Sequence, residues 1–246
     1  MRSAGAFRAQ TAAEVRMTLR RGESVLLTLG IPVLVLVFFS LVDVLPTPPW
    51  ADEPVDFLAP GVLALAVLSM AMVGTAIATG FERQYGVLKR LGTTPLGRPN
   101  LVAAKITSIL AVEVVQVVVL VGVAVAIGWR PSVGGVVVSV LGVLLATTAF
   151  TGIGLLMAGL WKAEVVLAGA NGLYLVLLLV SGMIVPLGKL PAPMRAFTRA
   201  LPSTALAEVL QGALSPGVAV PARSWIVLIG WAMVAPLAAA RWFRWE

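Results

Sequence analysis

FLAPGVLALAVLSMAMVGTAIATG, residues Phe57–Gly80, contains no Asp, Glu, Lys or Arg. An α-helix of roughly 20 apolar residues crosses the ~30 Å hydrocarbon core of a bilayer, so this run is long enough to span one. Five further apolar runs of similar length follow the same pattern: Val25–Leu45, Leu101–Gly128, Gly135–Trp161, Val165–Leu187 and Trp225–Ala240. None alternates polar and apolar residues as the strands of a membrane β-barrel do. The expected fold is therefore an all-α integral membrane protein, with an amphipathic interfacial helix over residues 1–24 and a six-span domain over 25–246.

Composition supports this and excludes much else. Of 246 residues, 59% are hydrophobic and 12% charged, with mean hydropathy +1.00; a soluble domain carries about 25% charged residues. Histidine is absent, which removes imidazole acid–base chemistry and zinc sites of the HExxH kind. Cysteine is absent too, so disulfides, thiolate catalysis and iron–sulfur ligation are excluded. A net charge of +7 would point to nucleic acid in a soluble chain. In a membrane chain it points instead to orientation.

Thirteen of the eighteen Lys and Arg residues fall on one side of the six spans: in the N-terminal segment, in the loop after the second span, at Lys162, and at Arg241 and Arg244. The first loop on the opposite side carries Asp43, Asp52, Glu53 and Asp56 and no basic residue. By the positive-inside rule both termini are cytoplasmic. The first run is longer than a signal-peptide core of about 7–15 residues and ends without a small-residue cleavage site, so it reads as an uncleaved span. Trp50, Trp129 and Trp225 are expected at the outer boundary, with Tyr85, Trp161, Trp242 and Trp245 at the inner one.

Three segments between the spans carry pattern. Phe7, Thr11, Val15 and Leu19 recur every fourth residue, with Arg8, Arg16 and Arg20 alongside, as in a basic amphipathic helix lying on anionic headgroups. In the inner loop 81–100, Phe81, Tyr85, Leu88 and Leu91 share one face of a short helix, Gly92 suits its C′ position, Pro95 stops it, and Pro99-Asn100 offers a turn and a cap for the third span. In the outer segment 186–223, Pro191 and Pro193 open one short helix containing Met194 and Phe197. Pro202 breaks the pattern, and Ser203 can cap a second stretch whose Leu206, Val209, Leu210 and Ala213 face away from Glu208, Gln211 and Gly212. Two short amphipathic helices are expected, in the outer leaflet or dipping partly into it, irregular backbone at that depth being tolerated only where protein covers it.

Inside the spans, polar residues are few. Glu113 is the one charge deep in an apolar run; Gln116 lies one turn along and Asn171 is a further polar candidate. A charge at mid-bilayer costs at least about 2.5–3.5 kcal/mol, so Glu113 faces protein or water or is neutral. An interhelical hydrogen bond from a neutral carboxyl is the preferred reading, with a proton-relay or substrate-path group as its rival. Small residues at Ala71, Gly74, Thr75, Thr79, Gly152, Gly154, Gly169 and Gly172 favour close helix packing within the chain over a dimer seam. Pro32 and Pro236 are expected to kink the first and sixth spans.

Two segments resemble the ABC-2 family of ABC-transporter permeases, and most closely its daunorubicin-resistance-type exporters. FERQYGVLKRLGTTPLGR, Phe81–Arg98, is similar to the family loop E-R-E-x-G-T-L-E-x-L-x-x-T-P at Glu82, Arg83, Gly86, Leu88, Leu91, Thr94 and Pro95. Ser181–Leu214 is similar to the pattern S-G-x-x-x-P-x-x-x-L-P…L-P at Ser181, Gly182, Pro186, Leu190, Pro191, Leu201 and Pro202. The resemblance implies a bacterial plasma-membrane subunit, dimerising with itself or with a second permease and docking two cytoplasmic ABC ATPase subunits. It implies a coupling helix bearing Glu82, Arg83, Tyr85, Gly86, Leu88, Arg90, Leu91, Thr94 and Pro95, an N-terminal helix against the membrane, and re-entrant helices with Pro186, Pro191, Phe197 and Pro202 at the outer gate. A small hydrophobic or amphipathic substrate, drug- or lipid-like, is the expected cargo. Gln84 and Lys89 depart from the carboxylates common in relatives, which points to a heterodimer whose partner supplies them.

No G-x-x-x-x-G-K-[ST] loop is present, so no bound cofactor is expected on this chain; ATP and magnesium belong to the partner ATPase. The rival class is a secondary transporter with Glu113 as coupling carboxylate, although no internal repeat of the kind common in that class is evident. An intramembrane protease lacks both a histidine and a pair of buried aspartates.

Overall fold

The computed structural model describes residues 10–16, 22–42, 45–92 and 98–242. Residues 10–16 are helical (α1), followed by α2 (Gly22–Leu41), α3 (Pro54–Leu68), a π-helical turn (Ser69–Gly74), α4 (Thr75–Gln84), α5 (Val87–Gly92) and α6 (Arg98–Ala126). Then come α7 (Val136–Leu160), α8 (Ala163–Val180), α9 (Ala192–Thr198), α10 (Pro202–Leu214) and α11 (Ala222–Trp242). No strand occurs among the described residues.

Among the described residues, five helical stretches are long and apolar enough to cross a membrane: Pro54–Gln84, Pro99–Ala126, Val133–Leu160, Ala163–Val180 and Ala222–Trp242. The 20-residue α2, Gly22–Leu41, covers most of the run where a sixth crossing is expected from sequence, and Leu29–Leu41 is its apolar stretch among the described residues. The expected run 165–187 is also cut back, because α8 stops at Val180 and Gly182 follows with φ +81°. L-residues with a side chain rarely adopt that angle. Pro99 and Asn100 lie in the first turn of α6 rather than before it.

Pro54–Gln84 is the central rod, the most buried of the five. Glu53 opens it through a capping box, its backbone N–H donating to the Asp56 carboxylate at 3.1 Å, and Pro54 supplies a pre-set φ at the first position. Glycines let the other helices approach. A Cβ on Gly154 of α7 would lie 2.6 Å from the Met72 carbonyl in the π-turn, and one on Gly152 would lie 2.5 Å from the Pro236 nitrogen of α11. The small residues of the fourth span thus serve packing within the chain. Gly172 on α8 has nothing within 4 Å of its Cβ position.

The largest departure from expectation is α10. It is buried along its whole length, deeper than the seat in the outer leaflet or the partial dip expected from sequence. Trp231 Nε1, more than two turns into α11, donates to the Ala200 carbonyl at 3.0 Å, so the chain has descended into the protein before α10 begins. The helix then returns to the end where α7 starts, where the Ser132 N–H meets the Leu214 carbonyl at 2.9 Å. The helices α3, α7 and α11 cover this path. Its ends are satisfied by protein, the condition for broken helix at membrane depth. Leu201 precedes the helix with Pro202 in its first turn, so Ser203 is not the cap; its hydroxyl is buried without a hydrogen-bond partner.

Candidate functional site

The C-terminal end of the rod is where the loop residues gather. The expected single helix over 81–91 is two pieces: α4 ends at Gln84, Tyr85 takes φ −85° and ψ 8°, and Gly86 turns the chain with φ +71°. Open space surrounds the Gly86 Cβ position, so conformation alone demands glycine there. Beyond it, α5 is pinned by Leu88, which is fully buried against Leu101, Val102, Leu155 and Ala239. Tyr85 stacks on Phe81 at 6.1 Å between ring centroids yet stays 69% exposed. Lys89 and Arg90 share the exposed side. Gly92 is the last residue of α5 rather than the one after it, and Thr94 and Pro95, with the side chain of Leu91, lie outside the described residues.

Glu82 and Arg83 turn inward. Arg83 Nη1 donates to the Gly159 carbonyl at 2.6 Å and Nη2 donates to the Trp161 carbonyl, closing the C-terminal end of α7. Lys105 lies inside α6, not in the loop where its charge is counted from sequence. It is 3% exposed, and its ammonium sits 2.8 Å from Glu82 and 2.9 Å from Glu14. Gln84 Nε2 donates to Glu164 Oε1 at 2.9 Å, tying α4 to the start of α8.

Of the interfacial helix, Val15 is half-buried and Arg16 exposed, while Phe7, Arg8, Leu19 and Arg20 lie outside the described residues. The residue through which α1 grips the bundle is Glu14, which carries no signal in a segment read for its arginines and apolar stripe. Gln10 donates to it at 2.9 Å.

Glu113 of α6 is 2% exposed and accepts a 2.6 Å hydrogen bond from Thr147 Oγ1 of α7. The bond is interhelical, but the hydroxyl is its donor and the carboxyl its acceptor, whereas a bond from the carboxyl is the reading preferred from sequence. Its other oxygen, Oε1, is buried with no partner. Gln116, one turn on, is buried too. Asn171 stands apart from both: it is exposed on α8 and donates to the Leu167 carbonyl of its own helix at 2.8 Å.

At the opposite end of the bundle, Pro186 precedes a short turn at Leu187–Lys189, Pro191 caps the start of α9, and Phe197 on α9 is 67% exposed. Pro202 begins the buried α10. Three bonds hold that helix in place. Glu208 accepts from Ser224 Oγ at 2.6 Å and from Arg223, and Gln211 Nε2 donates to the Gly182 carbonyl at 2.9 Å. Trp129 is 2% exposed, enclosed where α6 turns into α7.

The profile of the ABC-2 type transporter family matches residues 5–214, most of the chain. The protein belongs to that family. No curated protein matches it. It is therefore the multi-pass membrane component of a transporter, a permease rather than a catalytic subunit, and permeases of this family work with ABC ATPase subunits. In this ABC-2 permease the loop after the rod puts Tyr85, Lys89 and Arg90 outside, while Glu82, Arg83 and Leu88 fix the loop to the bundle.

Proposed function

We propose that this permease is the six-crossing transmembrane subunit of an ATP-driven exporter of the daunorubicin-resistance type, in a bacterial plasma membrane with both termini cytoplasmic. Its cargo is a hydrophobic or amphipathic compound, drug- or lipid-like, since few charges line the spans. ATP binding on separate ATPase subunits moves α5, and α5 moves the helices it is packed on. One observation carries the reading. A six-residue helix stands on a fully buried Leu88 and presents the exposed Tyr85 beside it. A knob anchored at its root and bare at its tip transmits force, whereas a loop resting on lipid needs no buried root.

Because Gln84 is bonded to Glu164 within the chain, this copy offers no carboxylate at that position to an ATPase, which favours pairing with a second permease. The test is mild-detergent purification of the tagged chain from its native membranes. The ATPase should co-elute with wild type, and Leu88→Glu or Gly86→Val should lose most of it while the chain still inserts. Full retention by both variants overturns the reading. Co-elution of a second permease separates heterodimer from homodimer. Transport that survives ATP depletion but stops with a protonophore would instead identify a secondary transporter working through Glu113.

A further inference from the structure

The seven-residue α9 stands clear of the bundle. Of its residues only Thr198 is buried; Arg195 is half-buried and the other five are exposed. Isolated helices this short are marginal in water, and packing of one face is what holds them in proteins. Here the chain supplies almost none of that packing, so the cover for α9 comes from outside the chain. Its chemistry says what kind. Between Pro186 and Ala200 stand three cations, Lys189, Arg195 and Arg199, and no carboxylate. None of the three is ion-paired among the described residues. The acid nearest along the chain, Glu208, is already taken by Arg223 and Ser224. Arg199, the cap residue, keeps helical angles of φ −63° and ψ −16°, so it shares one flank of the helix with Arg195, four positions earlier. Met194 and Phe197, both exposed and three positions apart, share the other flank.

Depth decides between water and membrane. Ala200, the residue after Arg199, accepts its hydrogen bond from Trp231, roughly 13 Å along α11 from the first residue of that helix. Because α11 is long and apolar enough to cross a bilayer, α9 ends alongside a membrane-crossing stretch, not out beyond it. An arginine at that level keeps its stem among acyl chains and lifts its guanidinium to the phosphates. A helix with one apolar and one basic flank matches the boundary between the two. Zwitterionic headgroups bring their own ammonium, so three uncompensated cations favour a headgroup of net negative charge. A second copy of the chain fits less well, since a two-fold contact would set three cations against three. We infer that α9 is a docking surface for anionic phospholipid. Arg195 and Arg199 take the headgroup phosphate, Lys189 adds charge, and Met194 and Phe197 enter the acyl region. Pro202 opens α10 three residues after Arg199, so lipid held on α9 also steadies the entry to that buried helix.

The inference needs a membrane and no ATPase, so it goes beyond the exporter reading and is tested apart from it. The chain has no cysteine, so Ala196→Cys, exposed on α9, gives the full-length protein a single bimane label. The labelled protein is placed in phosphatidylcholine nanodiscs with a few mole per cent of phosphatidylglycerol bearing a nitroxide high on one acyl chain. Matched discs carry nitroxide-bearing phosphatidylcholine at the same fraction. Contact with nitroxide quenches bimane. The phosphatidylglycerol should quench at least about threefold more effectively. Roughly 1 M sodium chloride, where the Debye length is about 3 Å, should erase most of that difference. R195Q/R199Q should bring the two lipids level, and the salt arm, run on the native side chains, decides the matter if this variant fails to insert. A label on Val133→Cys, a position 83% exposed ahead of α7, should show no preference. Equal quenching by the two lipids at position 196 would overturn the proposal. So would a preference that survives R195Q/R199Q or high salt, or the same preference at position 133. A label quenched by neither lipid and shielded only in discs holding two copies would give the face to a second copy, and the proposal would fall.

Discussion

Arg83 Nη1 lies 2.6 Å from the carbonyl of Gly159, so the side chain that ends the central rod also closes the C-terminal end of α7. The last carbonyls of a helix lack intrahelical donors and carry the negative end of its dipole. A guanidinium satisfies two of them at once, here at Gly159 and Trp161. Arg83→Ala should therefore destabilise the purified chain by about 1–2 kcal/mol, at the lower end of charge-assisted bonding because solvent reaches the site. Arg83→Lys, a point charge without the fork, should recover part of it. Thermal unfolding in detergent checks both. A melting temperature unchanged in Arg83→Ala would show that the two carbonyls are satisfied without it.

Lys105 faces two carboxylates in a nearly dry setting. Removing the cation leaves Glu14 and Glu82 with an uncompensated charge, which costs about 3–5 kcal/mol when a buried pair loses one partner. Lys105→Met should be strongly destabilising, and adding Glu14→Gln and Glu82→Gln should restore most of the loss. Non-additivity in this cycle, read from melting in detergent, is the expected signature. Strictly additive effects would mean the three residues do not act as one unit. Since the Lys105–Glu14 ion pair ties α1 to α6, Lys105→Met should also make the N-terminal segment more susceptible to protease.

The apolar runs were readable because length and hydropathy depend on composition alone, whereas the turn at Gly86 was hidden because Phe81, Tyr85, Leu88 and Leu91 keep a helical spacing straight through it. Partner choice was not readable. Lys105 looked like a loop charge on the basic side, yet Glu14, which neutralises it, sits in a segment whose pattern is set by arginines and apolar residues. The surroundings of α10 were hidden for a related reason. Its polar face looked solvated, but Glu208 is absorbed by Ser224 and Arg223, Gln211 by the Gly182 carbonyl, and Val209 reaches Gly142 on α7. A helical wheel records the chemistry of a face, whereas only the tertiary path says what covers it.

Glu113 and Thr147 make the bond that joins α6 to α7 in mid-span. Glu113→Gln retains an acceptor and should leave stability close to wild type. Glu113→Ala strands the Thr147 hydroxyl, which costs about 1–3 kcal/mol for an unsatisfied buried polar group. If the bond is structural, transport in Glu113→Gln proceeds at the wild-type rate. A stable Glu113→Gln chain that inserts and binds ATPase but no longer transports would make the carboxyl a proton carrier, which the buried Oε1 leaves chemically feasible.

Gly135 and Gly172 make opposite demands on the same substitution. A Cβ at Gly135 would fall 1.6 Å from the Ala213 carbonyl oxygen, backbone that cannot swing aside, whereas at Gly172 nothing lies within 4 Å. Gly135→Ala must therefore push the end of α10 away from the start of α7, breaking the Ser132 to Leu214 hydrogen bond. Overpacking of this kind typically costs about 1–3 kcal/mol or more. Gly172→Ala removes backbone freedom from a helix interior at no steric cost, so it should be neutral or stabilising by up to about 1 kcal/mol. Paired melting curves in detergent test the contrast, together with cysteine crosslinking between positions 132 and 214. Efficient crosslinking that persists in Gly135→Ala would mean the two segments tolerate the added methyl, and the tight seat assigned to α10 would be wrong.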